Sequence, residues 1–405
     1  MWQNKHELIV VFLLFFLIPL LSGCWDSQEI EQRANVLALG VDKASEEERK
    51  KEDEISHLGK RIPIPDEEMI KVTAQIAIPG RIPLGPQQPG GSEKPVLVVE
   101  VVGHTLQDAM LNLQQEVADE LFLGHLRIIV LSEEIARHGT ARFNDFLRRN
   151  PEIRRTAALV VSKESAAKYM NLDPELERVP SLYLADMVDN LSAIGKFPPS
   201  FIGLFWSIFS SKGQEPYLPY LTVIEKTTIQ LNGLAYFHGD KMVGKTNPLE
   251  IGIFMAVRGV GRGGYGAFIT VPGKDESVLV RAVSRKTRTK VTLRNGRPHV
   301  SVKIQYESEI DEKESASIEL SDSAILKKIE KEASKSTKKS IEKLIAKTQK
   351  SKSDIFGFGE HFRAKLPRYW DKHVKTKEKW DEIYQDITFD VSVDSHIHRV
   401  GMKSK

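Results

Sequence analysis

A chain of 405 residues is too long for one ordinary core, since domains usually hold roughly 100–200 residues, and two or three domains are expected. With 41% hydrophobic and 28% charged residues, its composition excludes wholesale disorder and a polytopic membrane protein. Lys and Arg number 58 against 55 Asp and Glu, a formal charge of +3 that is too small a surplus to supply a nucleic-acid footprint. The single cysteine, Cys24, excludes a disulfide framework and any multi-cysteine metal site.

The N-terminus reads as an address and an anchor. Lys5 and His6 precede an unbroken apolar run over residues 8–21, shorter than the roughly 20 residues of a spanning helix and suited to a signal-peptide core. It ends in Leu21-Ser22-Gly23-Cys24, the bacterial lipobox pattern: a branched apolar residue, two small residues that fit a signal peptidase, then the cysteine whose thiol receives a diacylglyceryl group. A conventional signal anchor has no need of a thiol, and here the only one falls where lipidation requires it. The pattern predicts a cleaved signal peptide over 1–23 and lipidation at Cys24. Two or three chains of the palmitate class, at about 0.8 kcal/mol per buried methylene, then hold the mature protein outside the cytoplasmic membrane.

Residues 35–41 read as a first strand and 69–79 as a second, where Ile70, Val72, Ala74, Ile76 and Ile78 alternate with Lys71, Thr73 and Gln75. A charged stretch, 45–61, separates them. The breaker-rich 80–95, with Pro83, Pro86, Pro89, Gly90 and Gly91, reads as a mobile loop. Residues 96–102 give a third strand. Thr105 with Asp108 resembles a capping box opening a helix whose Leu106, Ala109, Leu113 and Val117 share one face. A strand over 127–131 follows, then a helix capped by Ser132 and ending near Gly139, a helix over 141–149 stopped before Pro151, and a strand over 157–161.

Pro198 and Pro199 mark a candidate boundary after an N-terminal α/β domain, 24–198. Residues 201–209, FIGLFWSIF, could dip into a membrane or bind a partner, but a run so short, with no Lys or Arg, reads better as a core helix. Strands follow at 220–223 and 233–237, and Gly239-Asp240 turns the chain towards 241–243. Asn247 as N-cap, Pro248 at the first helical position and Glu250 then open a helix. These form a middle domain, 199–265. The C-terminal domain, 266–401, has strands at 278–293 and 300–306 joined by Asn295-Gly296, a strong hairpin signal. A long Lys-rich helix starts at Ser321 or Asp322, shorter helices lie near 360–365 and 378–384, and a strand over 386–400 closes the chain. The predicted class is α+β (mixed α/β): three unlike domains, each a sheet with packed helices.

Three patterns resemble chemistry and are better read as structure. Residues 239–246, GDKMVGKT, match the P-loop spacing, yet in a P-loop the lysine and threonine begin the helix that cradles phosphate. Here Asn247 and Pro248 begin it, while Met242 and Val243 read as the return strand of a hairpin. Gly259-Val260-Gly261-Arg262-Gly263-Gly264 has the dinucleotide glycines but follows a helix and precedes a strand, the reverse of the required order. Asp394, His396 and His398 alternate along a strand and could hold zinc, although such spacing more often marks a polar solvent face. Ser353 to Gly359, SDIFGFG, reads as a structural joint, with Asp354 or Ser353 capping the next helix and two glycines permitting close approach.

A specific likeness runs through these residues. Cys24-Trp25-Asp26, Glu29-Ile30 and Gly40-Val41-Asp42 resemble the mature start of the Ger(x)C family, the lipoprotein C subunits of spore germinant receptors. It continues in Leu121-Phe122-Leu123-Gly124-His125, Asn150-Pro151-Glu152-Ile153-Arg154, Lys241-Met242-Val243-Gly244 and Glu250 to Gly252. Lys352 to Gly359, Leu366-Pro367, Trp370 and Trp380 extend it. The resemblance implies a three-domain α+β lipoprotein on the outer face of the spore inner membrane. There it works with two integral membrane subunits, of A and B types, in detecting nutrients. It implies no enzyme, cofactor, metal or nucleic acid, and contact with the nutrient itself stays open. The 45–61 and 80–95 stretches look longer than the family needs. Two other readings remain: an extracellular solute-binding lipoprotein, which would show two similar lobes, and a nucleotide-binding protein resting on the P-loop pattern alone.

Overall fold

The computed structural model of the protein describes residues 32–50, 68–82, 94–174, 177–225, 228–261, 263–315 and 317–399. Cys24, the signal peptide predicted before it, and the larger parts of the 45–61 and 80–95 stretches lie outside the described residues.

The first half of the chain runs β1 (Arg33–Lys43), α1 (Glu46–Lys50), β2 (Ile70–Ala77), β3 (Val96–Gly103), α2 (Leu106–Glu116), β4 (Glu120–Phe122), β5 (Ile128–Ser132), α3 (Glu133–His138) and α4 (Ala141–Arg149). It continues through β6 (Ala158–Ser162), α5 (Ala166–Met170), α6 (Pro180–Ala193), α7 (Ile202–Phe209), β7 (Tyr217–Val223), β8 (Ile229–His238) and β9 (Lys241–Lys245). All its strands join one sheet in the order β3-β2-β1-β5-β6-β7-β8-β9, with β4 also paired to β1. The centre, β1-β5-β6-β7, is parallel, and antiparallel pairs extend it on both sides. Parallel strands covered on both faces read as unbroken apolar runs, and every residue of β5 and β6 is buried. Successive side chains point to opposite faces. Ile128 and Val130 therefore enter a core with α5 and α6, while Ile129 and Leu131 enter another with α2, α3, α4 and α7.

Helix α7 is the core helix expected of its composition, burying Ile202, Phe205, Trp206 and Ile208. The expectation of a separate sheet in each of three segments needs correction. β7 pairs with β6 through Val161↔Tyr220 and Ser162↔Leu221, so β7–β9 of the 199–265 segment extend the sheet of the 24–198 segment. Pro198 and Pro199 interrupt helix without releasing the chain. Ser200 Oγ donates to the Leu159 carbonyl and Ile202 N to the Ala157 carbonyl, both at 2.9 Å, which lashes the segment to β6. The described residues hold two sheets, within the predicted mixed α/β class.

The rest of the chain runs α8 (Pro248–Val257), β10 (Gly266–Thr270), β11 (Ser277–Arg294), β12 (Arg297–Lys313), α9 (Ser323–Lys350), α10 (Phe358–Lys365), α11 (Pro367–Tyr369), a π-helical turn over Trp370–Val374, α12 (Lys377–Tyr384) and β13 (Thr388–Arg399). The second sheet is β10-β11-β12-β13, with β13 parallel to β12. Asn295 and Gly296 both take positive φ, 52° and 77°, the geometry of the tight turn their sequence predicts. Asp322 caps α9, accepting from Ala324 N at 2.7 Å. That helix spans two cores: Ile329 and Ala333 pack with β10 and β11, whereas Ile341, Leu344 and Ile345 pack with β12 and with one face of the first sheet. The two sheets thus share a core, and the seam between them is the region of interest.

Candidate functional site

The seam is built by residues 213–215, just before β7, meeting residues 353–360 and α12. Asp354 is fully buried. Its Oδ1 accepts from Gly357 N at 2.9 Å, and its Oδ2 from Gly359 N at 2.9 Å and from the Trp380 indole at 3.0 Å. One carboxylate from three residues upstream thereby serves the first amides of α10, where the N-cap, Gly357, has no side chain to do so. Burial pushes the Asp354 carboxyl up to about 6, against the lowering effect of those donors. The joint is also tied across the seam: Glu215 N donates to the Asp354 carbonyl at 2.9 Å and Ser353 Oγ to the Phe237 carbonyl at 2.5 Å. A Cβ on Gly213 would overlap the Gly359 backbone, so the two loops touch main chain to main chain. Ile355, Phe356 and Phe358 are buried, each contributing roughly 1.5–3 kcal/mol by leaving water.

Beside the joint lies a group of residues that sequence reasoning did not find. Glu215, His238 at the end of β8 and Asp381 on α12 place a carboxylate, an imidazole and a second carboxylate within 4.8 Å of one another. Lys377 Nζ stands 3.2 Å from Glu215 Oε2, and Gly239 N donates to the same oxygen at 2.9 Å. Burial first, and then the Glu215 carboxylate beside it, hold the Asp381 carboxyl well above the usual range. Such a group can share a proton or bind a cation. A signal was present for one member: Asp381 falls between Trp380 and Tyr384, the buried face of α12, so it is an acid on the apolar side of an amphipathic helix. Glu215 and His238 carry no comparable local mark.

The candidates taken from sequence lie elsewhere. Cys24 is outside the described residues. The P-loop lookalike is the β8–β9 hairpin: Lys245 pairs with Ala235 and its ammonium lies 4.3 Å from the Tyr220 ring centroid. Thr246 is bonded through both its N–H and its hydroxyl to Leu234, at 2.9 and 2.8 Å, and Asn247 with Glu250 forms the capping box of α8. No row of amides is left over for a phosphate there. The 259–264 glycines connect α8 to β10, Gly259 taking a positive φ of 74° at the helix end. Asp394, His396 and His398 are exposed along β13. His396 pairs with Glu330 at 3.1 Å and His398 with Glu307, so these side chains form a polar outer face and are not drawn to a common centre.

The seam joins two segments that are each recognisable in other proteins. Residues 26–223 match the spore germination protein N-terminal domain, and residues 232–401 match the family described as spore germination B3/GerAC-like, C-terminal. The chain belongs to the Ger(x)C family of spore germination proteins. Relatives in Bacillus subtilis (strain 168) include spore germination protein KC, 26% identical with 98% of this chain and 97% of that protein covered. Spore germination protein B3 of the same organism is 24% identical, over 97% of this chain and 98% of its own. The fold is similar to the crystal structure of the GerBC protein, with a TM-score of 0.54 at 20% identity, covering 84% of this chain and 96% of that one. In this Ger(x)C chain Glu215 lies in the N-terminal family segment, and His238, Asp354 and Asp381 lie in the C-terminal one.

Proposed function

We propose that this Ger(x)C chain is the C subunit of a spore nutrient germinant receptor, a non-catalytic binding and assembly subunit lipid-anchored through Cys24 to the outer face of the spore inner membrane. The reading is carried by one joint observation: both family segments are present in order behind a lipobox that ends in the only cysteine of the chain. Its partners in this reading are two integral membrane subunits of A and B types. The joint at Asp354 keeps the two family segments in fixed relation and does not act on a substrate.

The test is capture of the chain from detergent-solubilised spore inner membranes, paired with a nutrient response in a strain lacking it. Two integral membrane proteins of germinant-receptor type should co-elute, and the deleted strain should lose its response to at least one nutrient while still germinating by nutrient-independent routes. Elution of the chain alone from membranes that germinate normally without it would contradict the receptor role.

A further inference from the structure

The side chains of Glu215, His238 and Asp381 serve neither the joint nor the anchor. Glu215 is fully buried, and its Oε1 has no hydrogen-bond partner. Asp381 is 3% exposed and its Oδ1 has none either. Buried carboxylate oxygens left in this state are costly. Lys377 offsets only part of the charge, because it approaches Oε2 of Glu215 and not the oxygen that faces His238. His238 Nδ1 lies 3.7 Å from Glu215 Oε1 and 3.5 Å from Asp381 Oδ2. A tetrahedral ion with bonds of about 2.1 Å holds its ligands about 3.4 Å apart; the two separations from His238 Nδ1 are close to that edge length, and one ligand atom from each of the three residues lies within 4.8 Å of the others. The His238 side chain is 41% exposed, which gives the group an opening to solvent.

We propose that Glu215, His238 and Asp381 form a binding site for a first-row divalent cation of the Zn²⁺ type. One imidazole and two carboxylates suit such an ion, whereas Ca²⁺ and Mg²⁺ call for six or more oxygen-rich ligands. Three protein ligands leave a fourth position for water on the open side of His238. The ligands come from the loop before β7, the end of β8 and α12, so the ion ties the N-terminal family segment to the C-terminal one at the seam. Its role is that of a clasp that also removes the repulsion between the two acids.

The experiment is calorimetric titration of Zn²⁺ into the untagged full chain, purified in detergent and stripped with a chelator. Mg²⁺ and Ca²⁺ serve as comparison ions, and thermal melts are recorded with and without metal. One equivalent of Zn²⁺ should bind and raise the melting temperature, and His238→Gln and Asp381→Asn should each weaken binding by at least about 10-fold. His238→Gln alters a partly exposed side chain and should keep the metal-free melt of the parent, separating loss of a ligand from misfolding. A double variant, His396→Gln with His398→Gln, tests the exposed histidines of β13 and should bind as the parent does. Absence of Zn²⁺ binding by the parent, undiminished binding by the His238 and Asp381 variants, or loss of binding only in the β13 double variant would each overturn the site.

Discussion

Gly357 takes a φ of +76°, and a Cβ there would stand 2.9 Å from Gln214 Oε1 and 3.0 Å from Arg258 Nη1. A β-branched side chain must both hold a left-handed backbone and displace the groups that bind the joint, at a cost of about 2 kcal/mol or more. Gly357→Val should therefore lower the melting temperature by several degrees and reduce the receptor level in spores. The surviving receptor should keep its choice of nutrient. A dose-response series measured beside the melt decides between roles: an unchanged melt with an altered choice of nutrient would mean that the segment reads the ligand.

Asp354 makes a second prediction at this scale. With its carboxyl at about 6 in the fold and 3.8 as the reference value, the folded chain keeps a proton that the unfolded chain has lost. The contribution of this group to stability is thus complete below about pH 4 and is lost as the pH rises through about 6. Asp354→Asn should abolish that part of the pH dependence. It should also cost about 1–3 kcal/mol, because an amide in place of the carboxylate offers one acceptor oxygen where two are used. Urea unfolding of both proteins from pH 4 to pH 7 is the check, and an identical pH slope in the variant would show that Asp354 does not titrate in this window.

At the scale of elements, what the sequence made legible is what a few neighbouring residues decide. The Thr105, Ser132 and Asn247 caps, the Asn295-Gly296 turn and the C-terminal end of α4 are set by bonds between residues no more than about four apart, whereas the start of α4 is held from a distance by Asp240. Pairings between distant segments were not legible. Nothing near Tyr220 announces that it lies beside Val161, nor does β13 announce that it runs parallel to β12. The same limit hid Glu215, His238 and Asp381, which only the tertiary fold assembles; Asp381 alone left a trace, as an acid on an apolar helix face. The hairpin reading of 239–246 was available because Asn247 and Pro248 place the helix start after the lysine. Lys245→Ala removes a cation–π contact worth about 0.5–1 kcal/mol at an exposed site, so folding and germination should stay near those of the parent. ATP binding that depends on Lys245 would reverse that reading.

For the whole molecule, the shared core between the sheets joins the described parts of the two family segments into one mechanical unit, and among the described residues no helix is long and apolar enough to cross a membrane. In the proposed reading Cys24 supplies the link between this unit and the membrane where its proposed partners reside. Two or more acyl chains suffice for lasting attachment. The most direct test is labelling with a palmitate analogue, followed by fractionation of sporulating cells that carry the parent or Cys24→Ala. The parent should be labelled and pellet with the membrane, while Cys24→Ala should be unlabelled and either soluble or retained only as the uncleaved precursor. A Cys24→Ala chain that is processed normally and stays in the membrane fraction would contradict the lipid anchor and the placement of the subunit built on it.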